Sequence, residues 1–580
     1  MAFPLSPGIT TTERDLTTSV PAVATTEAGI PIIGHWGPVD EITLVTTPDE
    51  LLKKFGKPTT DTAARWFTAE NFLAYSRSLY VVRSATTIAK NAVSSGTAIL
   101  IKNDDDYDSN YSDGEGSVGP WAGKFAGEMG NSLFVGICGS AAKFNNDSGD
   151  EWTYTKPDGT VVALSDLFDG APGTSVSAAA AGAVGDEIHV VVIDHLGEFT
   201  GTPGQVLEKH QFLSVASDAK KEDGSSNFYK TVINRRSPYI RVMDKPTNGT
   251  NWDTVLADGT TYTDLAIDDA EHAIQLESGA NDSGSFTTAL SSGYDLLNDP
   301  DKVDISFLLG ADADATIAAK VYDSVVKRKD TVGVISPEKS DVVNNSGSEK
   351  TDVLAYRDTL SFGGVNDLKP SYMEMTDNWK YQYNRFDDTY IWVPDNGDIA
   401  GLMAETDKEE GAGFSPGGKG IRNVIKLAWS AKKEERDELY KKGINSVVSF
   451  PGEGAVLYGD KTMMVRPSAF DRINVRRIFI EMKKSISRSA RSFLFKNNNT
   501  FTRNRFLATV RPYLEGKKGR GEITDFRIVC DGTNNTSDVL QRNEFVGDIY
   551  VKPAYSINFI QLNFVAVNTD VEFEEIIKGL

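Results

Sequence analysis

The last two hundred residues of this chain carry an ordered relay of short Gly-, Pro- and Asn-bearing motifs. Val393-Pro394 is followed by Gly397, Ala400-Gly401, Asp407 and Ser415-Pro416-Gly417-Gly418. Gly443-Ile444-Asn445, Tyr458-Gly459-Asp460-Lys461-Thr462 and Asn534-Asn535-Thr536 come after them. None has the composition of an active site. Residues of these types allow tight turns and close backbone approach.

At 580 residues the chain is too long for one core, and three to five domains are expected. Its formal charge of −22 speaks against general nucleic-acid binding and restrains unwanted association. The charge is uneven. Residues 461–520 hold 16 Lys+Arg against 3 Asp+Glu, a balance of +13, so the rest of the chain carries −35. Such contrast suggests an electrostatic docking face, with a solvated helix face as the simpler reading. Cys138 and Cys530 sit in apolar surroundings and are expected to be buried free thiols. No signal peptide is seen, and no stretch reaches the roughly 18 apolar residues of a membrane helix. A cytosol-like compartment is expected.

Residues 1–24 read as an extended arm, with Pro4, Pro7 and Pro21 opposing helix. About 20 extended residues span roughly 66–72 Å, enough to reach a neighbour. Residues 25–90 read as a first core piece. A Gly-, Asp- and Ala-rich span, 91–185, reads as an outer β-rich insertion, with a loop at Ala178–Ala183. Residues 186–355 read as an α/β insertion. Within it a strand at Val303–Leu309, a helix at Asp314–Lys329 and a strand at Val332–Ile335 predict a parallel βαβ unit. Residues 356–546 read as a second core piece with long helices at Ile421–Lys442 and Asp471–Leu494. Residues 547–580 read as a C-terminal strand arm. Its run Ile557–Val567 lacks a local partner, as an edge strand seeking a sheet would.

On the second helix Val475, Ile478, Phe479, Met482, Ile486, Ala490 and Phe493 form an apolar stripe, which offers Arg476, Arg477, Lys483, Lys484, Arg488 and Arg491 outward. Three chemical candidates are weaker. Asp104, Asp106, Asp108 and Glu115 approximate a calcium-loop spacing, but Ser109 stands where Gly is needed, so a solvated acidic loop is preferred. Gly413–Gly420 approximates a phosphate loop but has Gly420 in place of the magnesium-binding Ser or Thr. Asp194-His195 has no nucleophile-elbow companion. No metal, cofactor or catalytic residue is expected.

The relay, together with Ser6-Pro7-Gly8-Ile9, Glu13-Arg14-Asp15, Gly34, Trp36-Gly37-Pro38 and Phe55-Gly56, resembles the core of contractile phage tail sheath proteins. The likeness covers about residues 1–85 and 300–580. Asp395-Asn396 stand where the family often has Pro-Ser, Glu405 where Arg is common, and Tyr458 where Trp is common. The resemblance implies a multidomain α+β protein whose discontinuous α/β core uses both chain ends, with inserted β-rich and α/β domains and extended terminal arms. It implies a virion subunit, assembled in the host bacterial cytoplasm. Such subunits form stacked hexameric rings in a helical sheath around a tail tube, and their contraction drives the tube through the host envelope. Tail tube, baseplate and tail terminator proteins are the implied partners, with no nucleic acid and no membrane. On this reading Arg472, Arg476, Arg477, Lys483, Lys484, Arg488 and Arg491 face the tube or an acidic face of a neighbouring sheath subunit. Ile9, Thr11, Leu16 and Val20, with Ile549, Val551, Ile557, Phe559, Ile560, Leu562 and Phe564, belong to arms shared between subunits. A related bacteriocin or secretion apparatus and an α/β nucleotide-binding enzyme are the alternatives.

Overall fold

The strand Ala28–Ile32 lies between two parallel neighbours, Leu79–Arg83 and Phe307–Leu309, drawn from distant parts of the chain. This is seen in a computed structural model that describes residues 20, 23, 25–114, 116–146, 152–263, 273–284, 286–360, 362, 367–558 and 560–562. The central sheet runs Ile42–Val45, Leu79–Arg83, Ala28–Ile32, Phe307–Leu309, Val332–Ile335, Met373–Thr376, Ile444–Phe450, Gly454–Tyr458. The six inner strands are parallel, and the two edge strands pair antiparallel. Inner strands such as Val332–Ile335 are buried throughout, as parallel sheets require.

The expected βαβ unit is present. The helix Ala315–Arg328 is capped where Asp314 accepts from the Ile317 amide at 2.7 Å. It buries Ile317, Val321 and Val325 at i, i+4 and i+8. Its two strands pair in parallel with each other and belong to the central sheet. The span 186–355, expected as one insertion, feeds three separate sheets, and its last strands complete the core. A four-stranded sheet (Gln205–Ser214, Glu187–Asp194, Leu133–Cys138, Ala273–Gln275) and a three-stranded one (Ile240–Val242, Trp121–Ala126, Asn91–Val93) come from the sequence between the two halves of the core.

Two motif glycines are explained by one helix crossing. Helix Asn396–Glu409 packs on helix Ala63–Leu73 at the sheet face. A Cβ on Gly397 would stand 2.4 Å from the Thr68 carbonyl oxygen, and one on Gly401 2.4 Å from the Tyr75 ring. Neither contact is tolerable, so only glycine lets these helices approach so closely.

Other expectations are corrected. Ile421–Lys442 is not one helix: Lys426–Leu427 is a strand and only Lys433–Lys441 is helical. The Ile425 amide donates to Tyr381 at 2.9 Å, and Lys426 lies over the Tyr381 and Trp392 rings, so sheet pairing and aromatic contacts override the helical pattern. Ala178–Ala183, expected as a loop, contributes to the helix Val176–Ala181, capped by Ser175 and ended by left-handed Gly182.

Gly397→Ala and Gly401→Val should each destabilise the subunit by about 1–3 kcal/mol through overpacking. Thermal unfolding should show a lower Tm for both, and an unchanged Tm would contradict the close-crossing explanation.

Candidate assembly surfaces

The helix that sequence reading offered as a basic face runs Ile473–Ala490, and its cations do not share one environment. Arg472, its N-cap, donates to Asp460 at 2.7 Å and to the Tyr440 hydroxyl at 2.5 Å. Arg476 is buried between the Tyr372 and Phe470 rings, 4.2 and 4.1 Å from their centres, and donates to Ser371. Arg477 is buried in an ion pair with motif residue Asp407 and donates to the Met403 carbonyl at 2.6 Å. Lys484 is spent on Asp304 at 2.8 Å and the Ile305 carbonyl at 2.7 Å. Only Lys483, Arg488 and Arg491 are exposed, and the last two touch Asp304 and Asp301. The outward orientation expected of Arg476 and Arg477 is therefore wrong. The apolar stripe on this helix is wide enough that both flanking arginines are covered by the 371–372 turn and by helix Asn396–Glu409.

Sequence reading missed the next helix, Thr500–Gly519. Its signals were present: Asn499 caps it by accepting from the Thr502 amide at 2.9 Å, and Phe506, Val510 and Leu514 recur every four residues on its buried face. Pro512 and Gly516 within it masked the pattern. Its opposite face exposes Arg505, Arg511 and Lys518.

These two helices carry a two-stranded antiparallel sheet, Ile523–Val529 with Asp548–Pro553. Phe526 pairs with Val551 and Ile528 with Ile549, and these four side chains pack on a core of Ile478, Met482, Phe506, Val510 and Leu514. Ile549 and Val551, expected in an intersubunit arm, thus pack within their own chain. Among the described residues, no further strand pairs with either outer edge of this sheet.

Beyond it, no strand pairing is seen among the described residues. Ile557, Ile560 and Leu562 are 84%, 77% and 71% exposed. Ser556 donates to Asp460 at 2.5 Å and Asn558 donates to it at 2.8 Å. Of the other arm positions, Val20 is half-buried, and Ile9, Thr11, Leu16, Phe559 and Phe564 lie outside the described residues.

The remaining motif polar groups act as internal braces. Asn396 both accepts from and donates to Ala311, at 3.1 and 2.8 Å. Asn445 ties Glu374 to both backbone groups of Lys461. Asn535 clasps Val546 in the same way. Asp395, fully buried, accepts from Ser336 and Thr376. Burial pushes the carboxyls of Glu374 and Asp395 up to about 8 and that of Asp377 up to about 7.

The chemical candidates resolve into structural roles. Asp104, Asp106 and Asp108 lie on a capped helix, Asp104–Asn110, not in an open loop, and Asp104 pairs with Lys124 and Arg241. Glu115 lies outside the described residues. Lys419 of the Gly-rich turn pairs with Glu410 at 2.9 Å. Asp194 accepts from Ser132, Thr200 and three backbone amides of the following loop, while His195 meets the Tyr154 hydroxyl. Cys138 and Cys530 are buried, and the Cys138 thiol donates to the Ser140 carbonyl oxygen at 3.6 Å. Among the described residues, no group of three or more His, Cys, Asp or Glu is placed to hold a metal, and no helix is long and apolar enough to cross a membrane.

A mixed α/β chain whose small sheet has no further strand at either edge among the described residues, and which exposes Ile557, Ile560 and Leu562, has features of a protein made to assemble. Family comparison agrees. Residues 25–83 match the N-terminal region of tail sheath protein domain III, residues 301–463 the phage tail sheath central domain, and residues 465–566 its C-terminal domain. The tail sheath protein of Salmonella phage ViI is 32% identical over 100% of this chain and 98% of its own length. That of Enterobacteria phage T4 is 31% identical over 99% of both chains. The crystal structure of a sheath tail protein from Listeria innocua shares the fold, with a TM-score of 0.51 at 11% identity over 92% of this chain and 96% of that one. The chain belongs to the phage tail sheath protein family. It is a contractile tail sheath subunit, a structural component of the virion, and its family implies a non-enzymatic role.

The raised carboxyls give a pH dependence of known sign. A carboxyl whose folded pKa lies above its unfolded value of about 4 stabilises fully below that value and loses the contribution as pH rises to 7–8. The Tm of the dispersed subunit should therefore fall between pH 5 and pH 8.5, and Asp395→Asn should flatten the fall. A Tm that rises across this range would refute the assignment.

Proposed function

We propose that this subunit polymerises as stacked hexameric rings around a tail tube, held by strands exchanged between copies, and that contraction drives the tube through the host envelope. The observation that carries this reading is the two-stranded sheet of Ile523–Val529 and Asp548–Pro553. Two strands alone are marginally stable, and open edges invite pairing. Here one face is already supported by the two helices, so an incoming strand meets a firm platform. A donated strand of about six residues gains roughly 1 kcal/mol net per main-chain hydrogen bond, besides the burial of its apolar side chains. The donors are the terminal segments, of which Ile557, Ile560 and Leu562 present bare apolar side chains.

Contraction is then a shift between two packings of rigid bodies joined by extended linkers, the extended form being metastable. The discontinuous core lies nearest the tube and the inserted sheets project outward. Baseplate and tail terminator proteins meet the two ends of the sheath, and assembly takes place in the host cytoplasm. The tube-facing surface is the exposed basic edge formed by Lys483, Arg488 and Arg491 with Arg505 and Arg511 of the following helix. Exposed charge pairs contribute only about 0–1 kcal/mol each, which suits a sleeve that grips the tube and then slides.

Deleting residues 559–580 should leave a folded subunit that forms no tubes by electron microscopy. Tubes of normal length from the shortened chain would rule out C-terminal strand donation. Arg505→Glu with Arg511→Glu should reduce co-sedimentation with purified tubes at unchanged Tm, whereas Arg476→Glu should lower Tm, because Arg476 is interior. If the double reversal blocked sheath polymerisation without tubes, the basic edge would face neighbouring sheath subunits instead.

A further inference from the structure

Asp460 gathers more of the fold than its exposed neighbour Tyr458 suggests. Its carboxylate is buried in the loop after the edge strand Gly454–Tyr458. One oxygen accepts from the Tyr440 hydroxyl at 3.0 Å, Arg472 at 2.7 Å and Asn558 at 2.8 Å. The other accepts from Ser415 at 3.3 Å and Ser556 at 2.5 Å. These five donors come from four separate segments: the Gly-rich turn, the helix Lys433–Lys441, the start of the basic helix and the C-terminal segment. Asn558 also donates to the Tyr440 hydroxyl at 2.9 Å, and Asn474 reaches the Ala554 carbonyl at 3.5 Å. The main chain reinforces the knot, because the Ile473 amide donates to the Asp460 carbonyl at 2.8 Å.

The polar and apolar side chains of the C-terminal segment divide here. Ser556 and Asn558 turn onto Asp460, while Ile557 between them and Ile560 and Leu562 beyond them are bare. The geometry points to Asp460 as the anchor that fixes the root of the C-terminal arm to its own subunit and so sets where the arm leaves for a second copy of this chain. This rests on the strand-donation reading above and adds to it a positioning residue. An arm held at its root searches a smaller volume for the open sheet edge, so part of the ordering entropy is met before the neighbour arrives. A root held by hydrogen bonds to the core also transmits the movement of that core to the arm.

The charge state supports the anchor. Burial opposes ionisation of Asp460, but the Ser556 and Asn558 hydrogen bonds and the Arg472 guanidinium outweigh it and hold the carboxyl below its ordinary range. The anchor is therefore intact at neutral pH and its contribution is lost only as pH falls through that lowered value.

The test uses the full chain. Asp460→Asn keeps the shape of the side chain but sets an amide N–H against one group of donors. Ser556→Ala with Asn558→Ala removes only the arm's half of the contact and leaves Arg472 and Tyr440 paired with the carboxylate. Ser556→Ala with Asn558→Ala should keep the Tm of the core within the range of a surface change, whereas Asp460→Asn should lower it, because Arg472 and Tyr440 lose the buried carboxylate. Both should show chymotryptic cleavage after Tyr555 accelerated about tenfold in the dispersed subunit, and a critical concentration for polymerisation raised about tenfold. If cleavage of the double variant is unchanged, the arm root is not anchored by Asp460 and the inference fails. If cleavage rises but polymerisation is unaffected, the anchor does not position the arm and the inference fails, while strand donation stands. Failure of strand donation itself would show in the shortened chain described above, not in these variants.

Discussion

The structure depends on one topological constraint: the strand Ala28–Ile32 must be inserted between strands that flank more than two hundred residues of intervening chain. The central sheet cannot close until both portions of the chain meet, and closing so long a loop costs entropy that local contacts must offset. The seam is accordingly well braced. Buried Arg65, from the first portion, donates to the Gly310 carbonyl at 3.1 Å and pairs with Asp312 at 2.8 Å. Asn396 grips Ala311 from the other side. Gly397 and Gly401 let the helix that follows sit tightly against a helix of the first portion.

The same residues explain how a subunit can be both stiff and part of a moving assembly. Motif positions that look unremarkable in sequence each close a contact, Asp407 with distant Arg477 and, across shorter loops, Asn445 with Lys461 and Asn535 with Val546. Breaking one half of such a buried pair costs far more than the net worth of the pair, about 3–5 kcal/mol for ions, so these groups resist separate motion. A core built this way moves as a body.

Much of this was legible in the sequence, and the failures have physical causes. The βαβ unit at 303–335 could be read because an apolar run, a capped amphipathic helix and a second apolar run follow one another without ambiguity. The basic helix was found from its periodicity, but a helical wheel shows which side chains share an arc and not what covers the arc. Arg476 and Arg477 were therefore placed outside although aromatic rings and Asp407 enclose them. Ile421–Leu427 was read as helix because pairing to Tyr381 and stacking under Lys426 are tertiary effects. Ala178–Ala183 was read as a loop on composition, although alanine is the strongest helix former and Ser175 supplies a cap. The gathering role of Asp460 left no local trace, since its five donors are separated by up to 143 positions in sequence.

On the proposed reading, the subunit is completed by its neighbours. Among the described residues, Ile557, Ile560 and Leu562 are exposed and no strand pairs with either outer edge of the small sheet. A high-resolution cryo-EM map of the assembled sheath tests this most directly, by tracing which chain supplies each strand beside Ile523–Val529 and Asp548–Pro553. The account predicts that terminal segments of adjacent copies extend this sheet. A map in which the sheet keeps only its own two strands, with both termini folded back on their own subunit, would contradict it.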